Sequence, residues 1–106
     1  VDCAPRVACE VHFAPAAERD LIDIWTYTAD RWDERQADLY LDEIDAALDR
    51  LREHPLIGTD SNEVRDGYRR LAVGSHRLYY RLSEGGIEIV RVLHARMDPS
   101  FHLGSD

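Results

Sequence analysis

Arginine and histidine recur through the C-terminal half of the chain, at spacings that could serve phosphate chemistry. Among those in the predicted strands, five are candidates to cradle a phosphate: Arg69, Arg77, Arg81, Arg91 and His94. Cleavage of RNA at a 2′-hydroxyl needs a base, an acid for the leaving oxygen and cations that stabilise the phosphate transition state. The same planar guanidinium groups are equally suited to contacts with a protein. The residue types therefore allow either an anion site or a protein interface.

Several of these arginines also have a purely structural interpretation. Arg77 and Arg81 are predicted to lie on the strand face of Tyr79. Arginine stems often pack over such rings while their charged ends stay in water. Arg69 and Arg70 point to opposite faces of their strand, and at least one of them is expected to form an ordinary ion pair. The pattern alone leaves the two interpretations of Arg77 and Arg81 open.

The most apolar predicted strand contains two further polar candidates, Arg91 and His94. Period-two alternation predicts that Arg91 shares its face with three apolar residues: Ile87, Ile89 and Leu93. An arginine in that position should be paired or reach solvent. His94 ends the strand and is favoured as a partly buried, hydrogen-bonded side chain, and His76 is favoured as a support for the neighbouring turn.

Composition bounds the class of protein. The chain has 106 residues, 44% of them hydrophobic, which is enough for one globular domain and too little for two. Its net charge is −8, from 13 basic residues, all arginine, and 21 acidic ones. Residues 1–60 carry a balance of −9 and residues 61–106 a balance of +1. This acidity argues against sequence-specific nucleic-acid binding by the chain alone, because such binding depends on excess basic charge. No apolar run approaches the roughly 18 residues of a membrane helix.

The first nine residues are expected to lie outside the domain, as an upstream extension or cloning remainder. They hold both cysteines, Cys3 and Cys9, whose spacing permits a disulfide, although free thiols are favoured. His12 is the only histidine nearby, so a zinc site is not expected there. No metal-ligand spacing, phosphate-binding glycine loop or catalytic triad occurs elsewhere, so neither a metal nor a cofactor is predicted. The domain is assigned to residues 10–103, followed by a tail at 104–106.

Two amphipathic helices are predicted after a short strand at residues 10–14. Pro15 suits the first turn of a helix, and apolar residues then recur at helical spacing: Ala17, Leu21, Ile24, Trp25, Thr28 and Trp32. Asp33 and Gln36 resemble a capping box. The second helix has a longer stripe: Ala37, Tyr40, Leu41, Ile44, Ala47, Leu48 and Leu51. It is expected to stop at His54, before Pro55. Trp25 and Trp32 are predicted to belong to the core of this helical hairpin.

Beyond a polar loop at residues 55–63 the hydrophobic period changes from 3.6 to 2. Strands are predicted at residues 64–72, 76–83 and 87–94, joined by tight turns, and one helical turn at residues 98–103. The element order β-α-α-β-β-β predicts an α+β two-layer sandwich, in which the helical hairpin packs on a small, mainly antiparallel sheet. The place of the first strand in that sheet is not fixed by the pattern.

Four segments of the chain resemble a known family. These segments are DLIDIWTYTADRW and QADLYLDEID in the helices, and GYRRLAVGSHRLYYRL and IEIVRVLHARMD in the strands. They are similar to the ParE branch of the RelE/ParE superfamily of bacterial toxins, over residues 11–103. The resemblance implies a RelE/ParE-like fold, a ParD-like antitoxin whose C-terminal segment wraps the toxin, and DNA gyrase as the target.

Relatives of the RelE branch instead cleave mRNA on the ribosome, and fold alone does not distinguish the two activities. The RelE-like catalytic set includes a tyrosine near the C-terminus. Residues 96–103 of this chain contain Asp98 and His102 but neither tyrosine nor lysine. The departure favours a binding inhibitor, with no catalytic residues, over a ribosome-dependent mRNA interferase. An inactive or antitoxin-binding scaffold is the third alternative.

The sequence thus predicts two binding surfaces on a cytoplasmic toxin that forms a hetero-oligomer with its antitoxin. Candidates for contact with the target are Arg69, Arg77, Arg81, Arg91, His94, Arg96 and Met97. Candidates for contact with the antitoxin are Leu21, Trp25, Leu41, Ile44 and Leu48, most of which must also serve the core. An antitoxin segment added as a helix or a strand would use ordinary modes of peptide recognition.

Overall fold

Two helices joined by a short turn pack on one face of a five-stranded sheet in the computed structural model, which describes residues 10–62 and 64–97. The elements in chain order are β1 Glu10–Phe13, α1 Pro15–Arg31, α2 Glu34–Glu53, β2 Thr59–Asp60, β3 Tyr68–Val73, β4 His76–Ser83 and β5 Gly86–His94. The predicted α+β two-layer sandwich is confirmed. The first nine residues, with both cysteines, and the predicted helical turn at 98–103 lie outside the described residues.

The helical hairpin forms where local sequence signals place it. Pro15 occupies the start of α1, where its missing N–H costs no hydrogen bond. The side chain of Asp33 caps α2 by accepting a hydrogen bond of 2.7 Å from the backbone N–H of Gln36. α2 ends at Glu53, one residue before the predicted stop at His54.

The sheet has the strand order β1-β5-β4-β3-β2. β3, β4 and β5 form the predicted antiparallel meander, and β1 joins its edge parallel to β5. A parallel neighbour needs a long crossover, and the helical hairpin supplies it. β2 is a two-residue strand inside the predicted loop. β3 begins at Tyr68 rather than at residue 64, because Arg65 and Gly67 form a turn in which Gly67 has a φ of 84°.

A β-bulge in β5 changes which side chains reach the core. Tyr79 pairs with Arg91 but Tyr80 pairs with Ile89, so Val90 is an extra residue in β5. The bulge breaks the predicted alternation, because Ile87 and Ile89 belong to the core under the helices and Leu93 to the cluster on the other face. The prediction that Arg91 shares one face with all three residues is therefore wrong.

The main core lies between the helical hairpin and the sheet. It contains buried residues from every layer: Ala17, Ile24, Ile44, Ala47, Leu48, Leu51, Val73, Leu78, Tyr80, Ile87, Ile89 and Val92. A smaller cluster on the other sheet face joins Tyr68, Tyr79 and Leu93. The prediction that Trp32 belongs to the hairpin core is wrong, because its side chain is 69% exposed. Trp32 is the C-cap of α1, where the backbone leaves helical geometry and ends the apolar stripe.

Candidate functional site

The ends of β4 and β5 bring together His76, His94 and Tyr40 of α2. His76 and His94 are cross-strand partners, and their rings meet edge to face with centroids 5.3 Å apart. The Tyr40 hydroxyl hydrogen-bonds Nδ1 of His76 at 2.6 Å and lies 3.2 Å from the carbonyl oxygen of Val73. It also accepts a bond of 3.0 Å from the backbone N–H of Ser75. This tyrosine therefore ties α2 to the β3–β4 turn and fixes one face of His76.

Gly74 makes that close approach possible. Its φ is 56°, in the left-handed region that glycine adopts without strain. A Cβ at this position would lie 2.6 Å from a ring carbon of Tyr40. Both the backbone conformation of the β3–β4 turn and the space that the Tyr40 ring needs therefore favour glycine at position 74. The contact between Tyr40 and His76 depends on both.

An open cavity of about 290 Å³ lies beside this cluster, where the turn between the two helices faces the β3–β4 turn. We call it the tip pocket. Its lining residues are Tyr27, Thr28, Trp32, Gln36, Tyr40, Ser75, His76 and His94. Tyr27 and Trp32 are large side chains that remain 65% and 69% exposed. Partly exposed aromatic rings around neutral polar atoms are suited to binding a side chain of another molecule.

Burial lowers the pKa of His76, and the neighbouring His94 lowers it further, while Asp20 of α1 acts in the opposite direction. Glu43 and Tyr40 of α2 and Arg91 of β5 are further titratable groups near the two rings. Because the pKa of His76 is lowered in the folded chain, this ring binds a proton more readily in the unfolded chain. The free energy of unfolding must therefore fall as the pH drops below the ordinary histidine pKa of about 6.5.

We therefore expect the free energy of unfolding to decrease as the pH is lowered from 7.5 to 5.5. His76→Gln keeps a hydrogen-bonding side chain but removes the titrating ring, so it should flatten this dependence. Urea unfolding of both proteins at several pH values measures the difference. Ser75→Ala, which leaves every titrating group in place, is the control and should keep the slope of the original chain. Equal slopes for His76→Gln and the original chain would contradict the assignment.

Arg91 is held by Asp20 of α1. Its Nε and guanidinium nitrogen donate to the two carboxylate oxygens of Asp20 at 2.7 and 2.9 Å. The same carboxylate accepts a bond of 2.9 Å from the backbone N–H of Val92. The pKa of Arg91 is raised, first by this side-chain hydrogen bond. The Asp20 carboxylate thus accepts a backbone hydrogen bond at the edge of β5, beyond the end of β1. The bidentate pair with Arg91 fastens α1 to the sheet.

The other predicted target-binding arginines fall at separate places. Arg69 donates to the carbonyl oxygens of Leu56 and Gly58 at 3.1 and 2.6 Å, so it holds the loop after α2. Arg81 pairs across strands with Glu88 at 2.6 Å. Arg77 is half-buried on the sheet face away from the helices. Within residues 10–62 and 64–97 no hydrogen bond or ion pair engages its guanidinium.

His94 and the two residues predicted beyond the strand lie together at the end of β5. The ring nitrogen Nδ1 of His94 accepts from the backbone N–H of Arg96 at 3.1 Å. The backbone N–H of Met97 donates to the carbonyl oxygen of His94 at 2.9 Å, which closes a turn. Arg96 is exposed, and Met97 is 45% exposed. The structure therefore brings this part of the predicted target surface next to the tip pocket.

The predicted antitoxin-binding residues differ in accessibility. Ile44 and Leu48 are 1% and 3% exposed and are enclosed by the core. Leu21 and Leu41 are half-buried at its margin. Trp25 is also half-buried, and its indole N–H donates to Asp38 of α2 at 2.9 Å. The exposed large apolar side chains of the helical hairpin are instead Ile22, Tyr27, Trp32 and Leu39.

Sequence reasoning missed the convergence of Tyr40, His76 and His94, and it missed Asp20. The tight β4–β5 hairpin alone would place His76 opposite Leu93, and only the extra residue Val90 brings His94 opposite His76. Nothing in the local pattern indicated that Tyr40 or Asp20 would reach the strands. Within the part of the chain that is described, no cluster of three or more histidine, cysteine or acidic side chains could hold a metal ion. None of the described helices is long and apolar enough to cross a membrane.

Comparison with known proteins identifies the family. The profile of the family described as "ParE toxin of type II toxin-antitoxin system, parDE" matches residues 11–99. "Toxin ParE1" of Mycobacterium tuberculosis is 51% identical over 91 residues, which cover 85% of this chain and 93% of that protein.

Two solved structures share the fold. The first, "Chromosomal ParDE TA system from P. aeruginosa", superposes with a TM-score of 0.72 over 82% of this chain and 96% of that one, at 17% identity. The second is the toxin–antitoxin complex RelBE2 from Mycobacterium tuberculosis, with a TM-score of 0.57 and 26% identity over 83% of this chain and 99% of that one. With a family profile over residues 11–99 and a relative that is 51% identical over nearly its whole length, the chain belongs to the ParE toxins of type II toxin–antitoxin systems, within the RelE/ParE superfamily.

Proposed function

We propose that this toxin inhibits DNA gyrase by direct protein–protein contact and that a ParD-like antitoxin neutralises it. The family description names the parDE pair, which supports a ParD-like partner. The similarity of the strand segments to the ParE branch supports gyrase as the target. Both of these go beyond the family assignment itself.

The internal pairing of the strand arginines is the observation that favours binding over RNA cleavage. Asp20 engages Arg91, loop carbonyls engage Arg69, and Glu88 engages Arg81. A phosphate transition state is stabilised by preorganised cations gathered around one anion. Three of the five side chains that could form such a cradle already serve other acceptors.

The proposed contact surface for gyrase comprises the sheet face away from the helices and the end of β5. Arg77 and Arg81 lie on that face, and the Arg81 side chain is 54% exposed in spite of its ion pair. Arg96 and Met97 extend the surface at the end of β5. Arginine and methionine are both enriched in the centres of protein interfaces. Arg69 and Arg91 support this surface through their internal bonds.

The experiment is a supercoiling assay with purified gyrase, in which linear DNA from trapped cleavage is quantified alongside. We expect inhibition with accumulation of linear DNA. Arg77→Ala and Arg81→Ala should each raise the inhibitory concentration by about tenfold or more, which corresponds to the roughly 1.4 kcal/mol of a modest interface contact. Arg52→Ala on α2 is the matched control and should inhibit normally. Circular dichroism melts establish that each variant is folded.

A ribosome-dependent mRNA interferase is the second candidate function, and the pairing of His76 with His94 favours it. Two imidazoles in contact could supply the base and the acid that cleavage at a 2′-hydroxyl requires. If folded toxin in large molar excess leaves gyrase unaffected, mRNA cleavage on ribosomes becomes the deciding assay. Cleavage that is lost in His76→Ala and His94→Ala would replace the gyrase proposal with this one.

A further inference from the structure

Three aromatic side chains are among the walls of the tip pocket. Tyr27 and Trp32 come from α1 and its C-cap, and Tyr40 comes from α2. Ser75, His76 and His94 also line the cavity. Faces of tyrosine and tryptophan carry partial negative charge and attract cations, with tryptophan attracting them most strongly. Among residues 10–62 and 64–97, no arginine lines the pocket, so no guanidinium of this part of the chain would oppose a bound cation there.

The surroundings of the pocket are strongly acidic. The helical hairpin, residues 15–53, has twelve acidic residues and five arginines, a balance of −7, so it holds most of the net charge of the chain. Glu43 lies close enough to raise the pKa of Tyr40. Asp20 acts on His76 and also pairs with Arg91 of β5. A binding surface with this charge selects a basic partner.

Two of the walls are unusually exposed for their residue types. Tyr27 and Trp32 leave 65% and 69% of their surface in water although both are large and rigid. Exposed aromatic residues with few rotatable bonds lose little entropy when they are covered, and they are typical anchors of protein interfaces. Their position between an acidic helical hairpin and two imidazole rings suits a flat, delocalised cation better than an aliphatic side chain.

We propose that the tip pocket binds the guanidinium group of an arginine carried by the antitoxin. The guanidinium plane stacks on Trp32 and Tyr27, and its N–H groups donate to polar acceptors among the other lining residues. Arginine fits better than lysine because its planar, weakly hydrated head both stacks on rings and donates several hydrogen bonds. The antitoxin as the source of this arginine rests on the proposed function, whereas the affinity of the pocket for guanidinium does not.

The first test needs no antitoxin. N-acetyl-arginine amide is titrated into the ¹⁵N-labelled toxin, and N-acetyl-citrulline amide, of nearly the same shape but uncharged, is the matched probe. We expect a saturable shift of the Trp32 indole N–H signal with the arginine probe and at least a fivefold weaker response to the citrulline probe. The Trp25 indole, which is bonded to Asp38, is the internal reference and should not move. Equal responses to both probes, or none up to tens of millimolar, would overturn the proposal.

The second test measures the dissociation constant of the complex with the cognate antitoxin. Trp32→Ala should raise it by about tenfold or more. Leu56→Ala is the matched control, since Leu56 is 65% exposed, is also apolar and lies outside the tip pocket. An unchanged constant for Trp32→Ala, or an equal loss in both variants, would reject the antitoxin arginine as the occupant.

The outcomes separate this inference from the proposed function. A toxin that poisons gyrase but shows no preference for arginine over citrulline retains its proposed target and loses the guanidinium site. A toxin that binds the arginine probe at Trp32 but leaves gyrase unaffected retains the site and loses the target. Trp32→Ala and Leu56→Ala both replace exposed side chains, so their unfolding curves should match that of the original chain.

Discussion

Replacement of Asp20 by alanine should lower the free energy of unfolding by about 3 kcal/mol, because it leaves Arg91 without its partner at a largely buried position. The two side chains are only 13% and 23% exposed, and three hydrogen bonds meet at the Asp20 carboxylate. Urea unfolding monitored by tryptophan fluorescence gives the difference directly. Glu18→Ala, an exposed acidic residue in the first turn of the same helix, is the control and should change stability by less than about 0.5 kcal/mol.

This pair also bears on how loss-of-function variants should be interpreted. Arg91→Ala is expected to abolish toxicity, but through loss of folded protein rather than through loss of a target contact. The two causes separate when inhibition is expressed per mole of folded toxin. If Arg91→Ala unfolds at the same urea concentration as the original chain and still fails to inhibit, Arg91 belongs to the target surface and its structural role is refuted.

A second large effect is expected at Gly58, in the loop that follows α2. A Cβ there would lie 2.5 Å from both the carbonyl oxygen of Arg70 and the hydroxyl oxygen of Tyr80. Because one obstacle is backbone, a rotamer change cannot relieve the contact. Gly58→Ala should therefore cost about 3 kcal/mol, the upper part of the range for overpacking. Thermal and urea unfolding measure the loss.

Gly85→Ala is the matched control for that substitution. Gly85 has a φ of 84°, but a Cβ added there would meet nothing within 4 Å, so only backbone strain of about 1 kcal/mol is expected. Tyr80→Phe examines the same contact by removing the hydroxyl group that bonds Gly58. The Tyr80 hydroxyl accepts from the Gly58 N–H and donates to the Pro55 carbonyl oxygen, both at 2.9 Å. A loss at Gly58 no greater than at Gly85 would show that the loop yields easily.

The contacts at Gly58 also fix the neighbouring residues of the loop. Arg69 and Tyr80 together hold residues 55–58, and this fixed segment displays Leu56 and Ile57, which are 65% and 42% exposed. Arg69 was predicted from its type and spacing to contact the target. The structure gives it hydrogen bonds to the Leu56 and Gly58 carbonyl oxygens. Any effect of Arg69→Ala is therefore expected to arise from a loosened loop at residues 55–58.

The sequence by itself determined the elements and the way most of them pair. Helical periodicity and the Asp33 cap placed both helices, and the glycine turns placed β4 between β3 and β5. These features depend on neighbours within a few residues along the chain, which is why the local pattern is sufficient for them. The family resemblance followed from the same segments.

Tertiary structure alone decided where the polar side chains found their partners. The extra residue Val90 breaks the predicted alternation of β5, and Arg91 binds Asp20, which is 71 residues away in the chain. Tyr40 reached His76 only because Gly74 leaves space for its ring. Trp32 stayed in water because α1 ends just before it, beyond the edge of the core. A bulge, a helix end and a missing Cβ each shift a side chain by a few ångströms, and hydrogen bonds and packing respond to distances of that size.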